Sequence, residues 1–209
     1  MSIKTTKVKI CGIKTPDAMT AAIEGGADFV GLNFHPKSPR YVEPEVAKYL
    51  ASYVPDSVKI VGLFVDARNQ RIEEILGNVR IDIIQMHGFE KPDRIAGIFE
   101  RYKKPVIKSF GIAAEEDLKQ IELFKKAGWV LLDRPGDGGS GQTFDWKLLK
   151  NFKSPKPWML AGGLNPDNVA EAIQLLSPNA VDVSSGVESE RGMKDPARIK
   201  AFLEAAKHA

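Results

Sequence analysis

A single cysteine, Cys11, occurs in the 209 residues. No disulfide can form within the chain, and the thiol is left for reactivity or plain burial in a reducing compartment. Histidine is almost as scarce. His35, His87 and His208 are the only three, and no spacing gathers His and carboxylates on one face as a catalytic metal requires. Neither a metal nor a cofactor is expected. Long apolar runs are missing too: nothing approaches the roughly 18 uninterrupted apolar residues of a membrane span, and MSIKTTKVKI carries no apolar core of a secretion signal. The chain reads as soluble and cytoplasmic. Nor does one charge dominate. Lys and Arg number 30 against 27 Asp and Glu, and the bases are scattered, so there is no basic arm of the kind that binds nucleic acid.

What the chain does contain is a repeated simple unit. Short β-branched or apolar runs occupy residues 7 to 12, 28 to 34, 58 to 65, 81 to 88, 105 to 111, 129 to 133, 157 to 163 and 180 to 186, each followed by helical spacing. Thr15, Pro16 and the Gly25-Gly26 pair mark the start and stop of the first helix, with Ala18, Met19, Ala22 and Ile23 as its apolar face. Asn165 and Pro166 repeat that start signal. Further helices are predicted over 43 to 53, 67 to 78, 91 to 103, 114 to 127 and 194 to 207, with a short one near FDWKLLKNF. Such alternation implies parallel strands covered by helices. Eight units predict an α/β fold of the (β/α)8 TIM-barrel type, a single domain over residues 1 to 209, at the small end of that fold's range. An open doubly wound sheet is the structural alternative, and the lack of G-x-G-x-x-G after the first run counts against it.

Successive strand side chains point to opposite faces, so parity sorts each run. Val8 and Ile10 oppose Lys7, Lys9 and Cys11; Val130 and Leu132 oppose Trp129, Leu131 and Asp133; Val181 and Val183 oppose Ala180, Asp182 and Ser184. With the apolar pairs under the helices, Lys9, Cys11, Asp133, Asp182 and, from IIQMHG, Gln85 and His87 project inward near the carboxyl ends of their strands. Barrel enzymes work at that end. Cys11 then reads either as a small buried hydrophobe or as a reactive thiol that Gly12 leaves uncovered by turning the chain away. An ionised Lys9 on the same face, roughly 7 Å away by strand rise, favours thiolate over thiol. Lys9 fits equally well as an ion-pair partner of Asp182.

Glycines gather after the last three runs. Gly136, Gly138, Gly139 and Gly141 in DRPGDGGSGQTFDW suit a lid or a close backbone approach to a ligand. LAGGLNPDN and DVSSGVE leave Gly162, Gly163, Ser185 and Gly186 without bulk to block a phosphate, in the two loops that often give backbone N–H groups to phosphates in barrels. Arg40, in HPKSPRYV, is either a solvated surface arginine or a bidentate carboxylate clamp. The expected partner is a small phosphorylated molecule, with no nucleic acid and no membrane.

VKICGI, GADFVGLNFHPKSPRYV, QMHG, LLDRPGDGGSGQTFDW, LAGGLNPDNV and VDVSSGVE, in order over nearly the whole chain, resemble the signature segments of the phosphoribosylanthranilate isomerase family. Met86 stands where that family would have leucine, at an outward position. The resemblance implies a tryptophan-biosynthesis enzyme that converts N-(5′-phosphoribosyl)anthranilate to 1-(2-carboxyphenylamino)-1-deoxyribulose 5-phosphate by an Amadori rearrangement. It also implies Cys11 as general base, Asp133 as general acid, Arg40 at the anthranilate part and the last two glycine loops at the phosphate. The residue types suit the chemistry independently. Opening a furanose needs a proton on the ring oxygen, hence a carboxylic acid with a raised pKa, and a thiolate can then take the C2′ proton.

Another phosphate-binding barrel remains open as an alternative. A ribulose-phosphate epimerase would need inward metal ligands, however, and an indole-forming synthase a longer chain. A non-catalytic sugar-phosphate sensor would keep the barrel without needing Cys11 and Asp133 together. The oligomer is expected to be a monomer or a homodimer.

Overall fold

Eight parallel strands close on themselves in sequence order: β1 (Lys7–Cys11), β2 (Phe29–Asn33), β3 (Lys59–Phe64), β4 (Ile83–Met86), β5 (Val106–Gly111), β6 (Trp129–Asp133), β7 (Trp158–Leu160) and β8 (Ala180–Val183), with β8 pairing back to β1. The structure is a computed structural model that describes residues 6–136 and 146–209. Closure settles the choice between barrel and open sheet.

Helices α1 (Pro16–Glu24), α2 (Pro44–Ala51), α3 (Asn69–Asn78), α4 (Pro92–Tyr102), α5 (Glu115–Lys119), α6 (Val169–Leu176) and α7 (Pro196–Lys207) surround it. At the start of α1 the Thr15 hydroxyl accepts from the Ala18 amide at 3.4 Å, a cap worth about 1 kcal/mol. Behind it Ala18, Met19, Ala21 and Ala22 are buried, so the small face of α1 lies close on the sheet.

Parity sorts the core as the alternation predicts. Val8, Ile10, Val130, Leu132, Val181 and Val183 join the layer between strands and helices, and the outward Met86 is buried there with them. A separate cluster fills the barrel itself: Phe29, Val61, Ile83, Ile107, Leu131, Met159, Ala161 and Ala180. The interior is thus a packed floor, and polar inward residues are left to the layer above it. Lys9 has that position on β1, in register with Phe29 of β2 and Asp182 of β8.

Three segments depart from the sequence pattern. The helix predicted over 114 to 127 is one α-turn followed by a 3-10 turn at Gln120–Leu123. Its anchors Leu118, Ile121 and Phe124 are spaced by three, the repeat of the tighter helix. The helix expected to open at Asn165 and Pro166 begins at Val169, because the Asn165 carboxamide accepts from Asp167 N at 2.8 Å and holds a turn there, leaving Asn168 at the cap position. Beyond β8 an unpredicted antiparallel ribbon, β9 (Glu188–Glu190) and β10 (Met193–Lys194), precedes α7. No helix among the described residues is long and apolar enough to cross a membrane.

Candidate active site

Cys11 ends β1 inside the mouth, 5% exposed. Its neighbour across the ladder is Gly31, where a Cβ would lie 3.0 Å from the thiol sulfur. Glycine at 31 is what gives the sulfur room. Gly12 turns the chain at φ +79°, and a Cβ there would press on the Arg40 side chain at 3.0 Å. The turn at Gly12 is therefore the bed on which the Arg40 stem lies.

Lys9 is fully buried and donates to Asp182 Oδ1 at 2.8 Å, so the ion-pair reading holds. Burial would push its ammonium down, yet Asp182 and the neighbouring Cys11 outweigh that and hold it above the ordinary lysine value. Its pull on the thiol has the expected direction but is outweighed. Burial raises the Cys11 pKa; Lys9 and Lys194 pull against it, Asp182 adds to it, and the net result stays above the ordinary thiol value. Before a ligand arrives the resting form is the thiol, because desolvation outweighs the nearby cation.

Asp133 closes β6, three strands from β1 around the barrel by way of β8 and β7. Burial lifts its carboxyl to about 6, with the Asp182 charge assisting, against the hydrogen bond that Oδ1 accepts from Arg134 N at 2.8 Å. A carboxyl raised this far keeps part of its protons near neutral pH. His87 Nε2 stands 3.6 Å from Asp133 Oδ2. Burial, then the Lys9 charge, lowers its imidazole to about 4, so His87 is neutral near pH 7. Gln85, fully buried, lies 3.1 Å from His87 Nδ1 and 3.3 Å from the Ser109 hydroxyl. The loop after His87 is tied by Glu90, which accepts from Gly88 N and Asp66 N and pairs with the buried Lys108 at 3.0 Å.

Arg40 is buried, so the surface reading of the sequence fails, and a carboxylate of the chain itself occupies its Nε/Nη2 edge. Glu188 Oε1 takes Nε at 2.7 Å and Oε2 takes Nη2 at 2.9 Å. The same carboxylate accepts from Lys194 Nζ and, at 3.0 Å, from Gly192 N. Burial alone would raise Glu188; these donors outweigh it and hold the carboxyl at about 2. The fork matches carboxylate geometry as expected, but one such partner is internal.

At the phosphate-type loops, Gly162 and Gly163 both have positive φ, +84° and +70°. A Cβ on Gly162 would lie 3.0 Å from Asp133 Oδ1, so glycine there keeps the acid unobstructed. At Gly186 the reason differs from the predicted one. A Cβ would fall 1.9 Å from the Leu164 carbonyl oxygen, so the residue is small because the loops after β7 and β8 pack backbone to backbone. Ser185 opens a 3-10 turn there. Gly138, Gly139 and Gly141 lie outside the described residues. Among the described residues no three of His, Cys, Asp and Glu gather as a metal would need.

Glu188 and Lys194 were absent from the sequence prediction. Glu188 ends the quoted DVSSGVE, but nothing in its spacing marks a buried charge, and Lys194 reads as one more surface lysine before a helix cap.

A closed (β/α)8 barrel whose carboxyl end carries a buried thiol and, three strands away, a raised carboxylic acid has the layout of a barrel enzyme. The comparisons narrow this. The family model described as N-(5′-phosphoribosyl)anthranilate (PRA) isomerase matches residues 8–205. The chain belongs to that family, isomerases of tryptophan biosynthesis. The N-(5′-phosphoribosyl)anthranilate isomerase of Rhodospirillum rubrum is 45% identical over 215 residues, covering 97% of this chain and 98% of that protein. The crystal structure of the Thermotoga maritima isomerase has a TM-score of 0.90 at 40% identity over 98% of this chain and 100% of that one. Another isomerase, solved with reduced 1-(o-carboxyphenylamino)-1-deoxyribulose 5-phosphate, has a TM-score of 0.85 at 37% identity over the same shares.

Proposed function

We propose that Cys11 and Asp133 divide the isomerisation between them as base and acid. Asp133 gives its proton to the furanose ring oxygen of N-(5′-phosphoribosyl)anthranilate as the C1′–O bond breaks, and the anthranilate nitrogen lone pair forms the C1′=N iminium. The iminium acidifies C2′–H. The Cys11 thiolate takes that proton, and the C–H electrons flow to C1′ and nitrogen to give an enolamine. Loss of the C2′ hydroxyl proton and gain of one at C1′ then yield the ketone. The observation that carries this assignment is the pairing of a buried thiol with a carboxyl raised to about 6 across one barrel mouth.

The other roles follow by position. Arg40, on the bed of Gly12 beside Cys11, faces the anthranilate carboxylate. Gly162, Gly163, Ser185 and Gly186 take the phosphate, and His87 and Asp182 face the sugar between acid and base. Gly139, expected at the same ligand, lies outside the described residues. The ligand bound to one relative, a reduced product bearing both carboxylate and 5-phosphate, supports this layout. A homodimer or a monomer serves equally, since every assigned group comes from one chain.

The pH dependence tests the pair. The acid titrates near 6 and the base above the ordinary thiol value, so the active combination of thiolate and carboxylic acid is a minor form at every pH. Its population rises up to about pH 6, stays level, and falls only once the thiol itself ionises. We expect kcat/KM, which reports the groups of the free enzyme, to show this broad plateau, and Asp133→Asn to remove the levelling near 6, so that its residual rate keeps rising with pH until the thiol ionises. A parental profile with one narrow optimum near neutrality would contradict the assignment.

A further inference from the structure

Lys194 is a buried lysine on a two-residue strand, and the reaction as written has no use for it. Its ammonium has three hydrogens and finds three acceptors: Ser184 O at 3.1 Å, Ser184 Oγ at 3.3 Å and Glu188 Oε1. Ser184 in turn donates its hydroxyl to the Cys11 carbonyl at 3.2 Å. A continuous chain thus runs from the β9–β10 ribbon through the end of β8 to the residue that bears the thiol.

Lys9 shares the strand of that thiol and is already paired with Asp182 of β8; β2 presents Gly31; Arg40 crosses Gly12 and is paired with Glu188. Glu188 Oε1 accepts from both Arg40 Nε and Lys194 Nζ, so one carboxylate answers two buried cations. Lys194 thus shares its counter-charge with Arg40, and its ammonium stands one hydroxyl, that of Ser184, away from the Cys11 carbonyl. In a site of low dielectric a shared counter-charge leaves field to act on a neighbour.

We propose that Lys194 is a positioning residue for the base: it pins Cys11 through Ser184 and holds a positive charge against the thiolate during proton abstraction. This rests on the reading of Cys11 as base. A lysine that merely fastened the ribbon to Glu188 would influence stability and leave the thiol alone.

Iodoacetamide alkylation of Cys11 in the folded protein, followed against pH, separates the two. In Lys194→Met the reactivity below the thiol midpoint should fall about tenfold, and Lys194→Gln should behave alike although it keeps a hydrogen-bond donor. Lys194→Arg should restore most of it. With substrate, kcat should fall in the same order while KM changes less than about threefold. An unchanged alkylation profile in both neutral variants, or an equal loss in Lys194→Arg, overturns the proposal. The alkylation readout stands apart from turnover. If Cys11→Ala retained parental kcat, the base assignment would fall while the effect of Lys194 on the thiol was still measured.

Discussion

Cys11→Ala and Asp133→Asn should each lose about 10²- to 10⁴-fold in kcat, the usual contribution of a single general acid or base. Both should still bind the reduced product analogue with near-parental affinity. Alanine removes the sulfur from a pocket that Gly31 had left open, so no clash follows. Asparagine keeps an oxygen to accept the Arg134 amide and loses only the acidic proton. Steady-state kinetics with analogue titration by fluorescence checks both. Retention of parental kcat in either variant, with binding intact, would remove that residue from its role.

Glu188→Gln should cost about 3–5 kcal/mol of unfolding free energy, because Arg40 and Lys194 would remain buried without their carboxylate. The same group predicts acid sensitivity. Its carboxyl titrates at about 2 in the folded chain against 4.5 ordinarily, so its stabilisation is complete above the ordinary value and is lost as pH falls through 2. At one pKa unit per 1.36 kcal/mol, that is about 3 kcal/mol. Urea denaturation at pH 7 and pH 3 should therefore show a parent that loses more stability on acidification than the variant does. Equal midpoints for the two proteins at pH 7 would show that the buried cluster does not hold the β2 and β8 loops together.

The barrel was legible because two periods alternate without interruption, and because the inward and outward faces of β1, β6 and β8 differ so sharply in polarity. Cys11 and Asp133 could be read from that alternation together with their strand-end positions. The net state of the thiol could not. It depends on burial set by residues far away in sequence, and Lys9 by itself pointed the other way. Arg40 illustrates the same limit. Its local segment has no record of Glu188, which lies 148 residues later and occupies its fork. Gly186 was expected to be small so as not to block a phosphate, whereas the Leu164 carbonyl that a Cβ there would meet is in place only once two loops pack. The helix start at Val169 was missed because the Asn165 carboxamide caps a turn instead of a helix, a choice between two local hydrogen-bond patterns that the same residues permit.

The most direct test follows the loss of anthranilate-type fluorescence when chelator-treated protein is given freshly prepared N-(5′-phosphoribosyl)anthranilate, with Cys11→Ala alongside. Rapid decay with the parent, unaffected by the chelator, and near-background decay with the variant is the predicted result. Background decay with the parent, or chelator-sensitive decay that Cys11→Ala leaves intact, would contradict a metal-independent isomerase that uses the single thiol as its base.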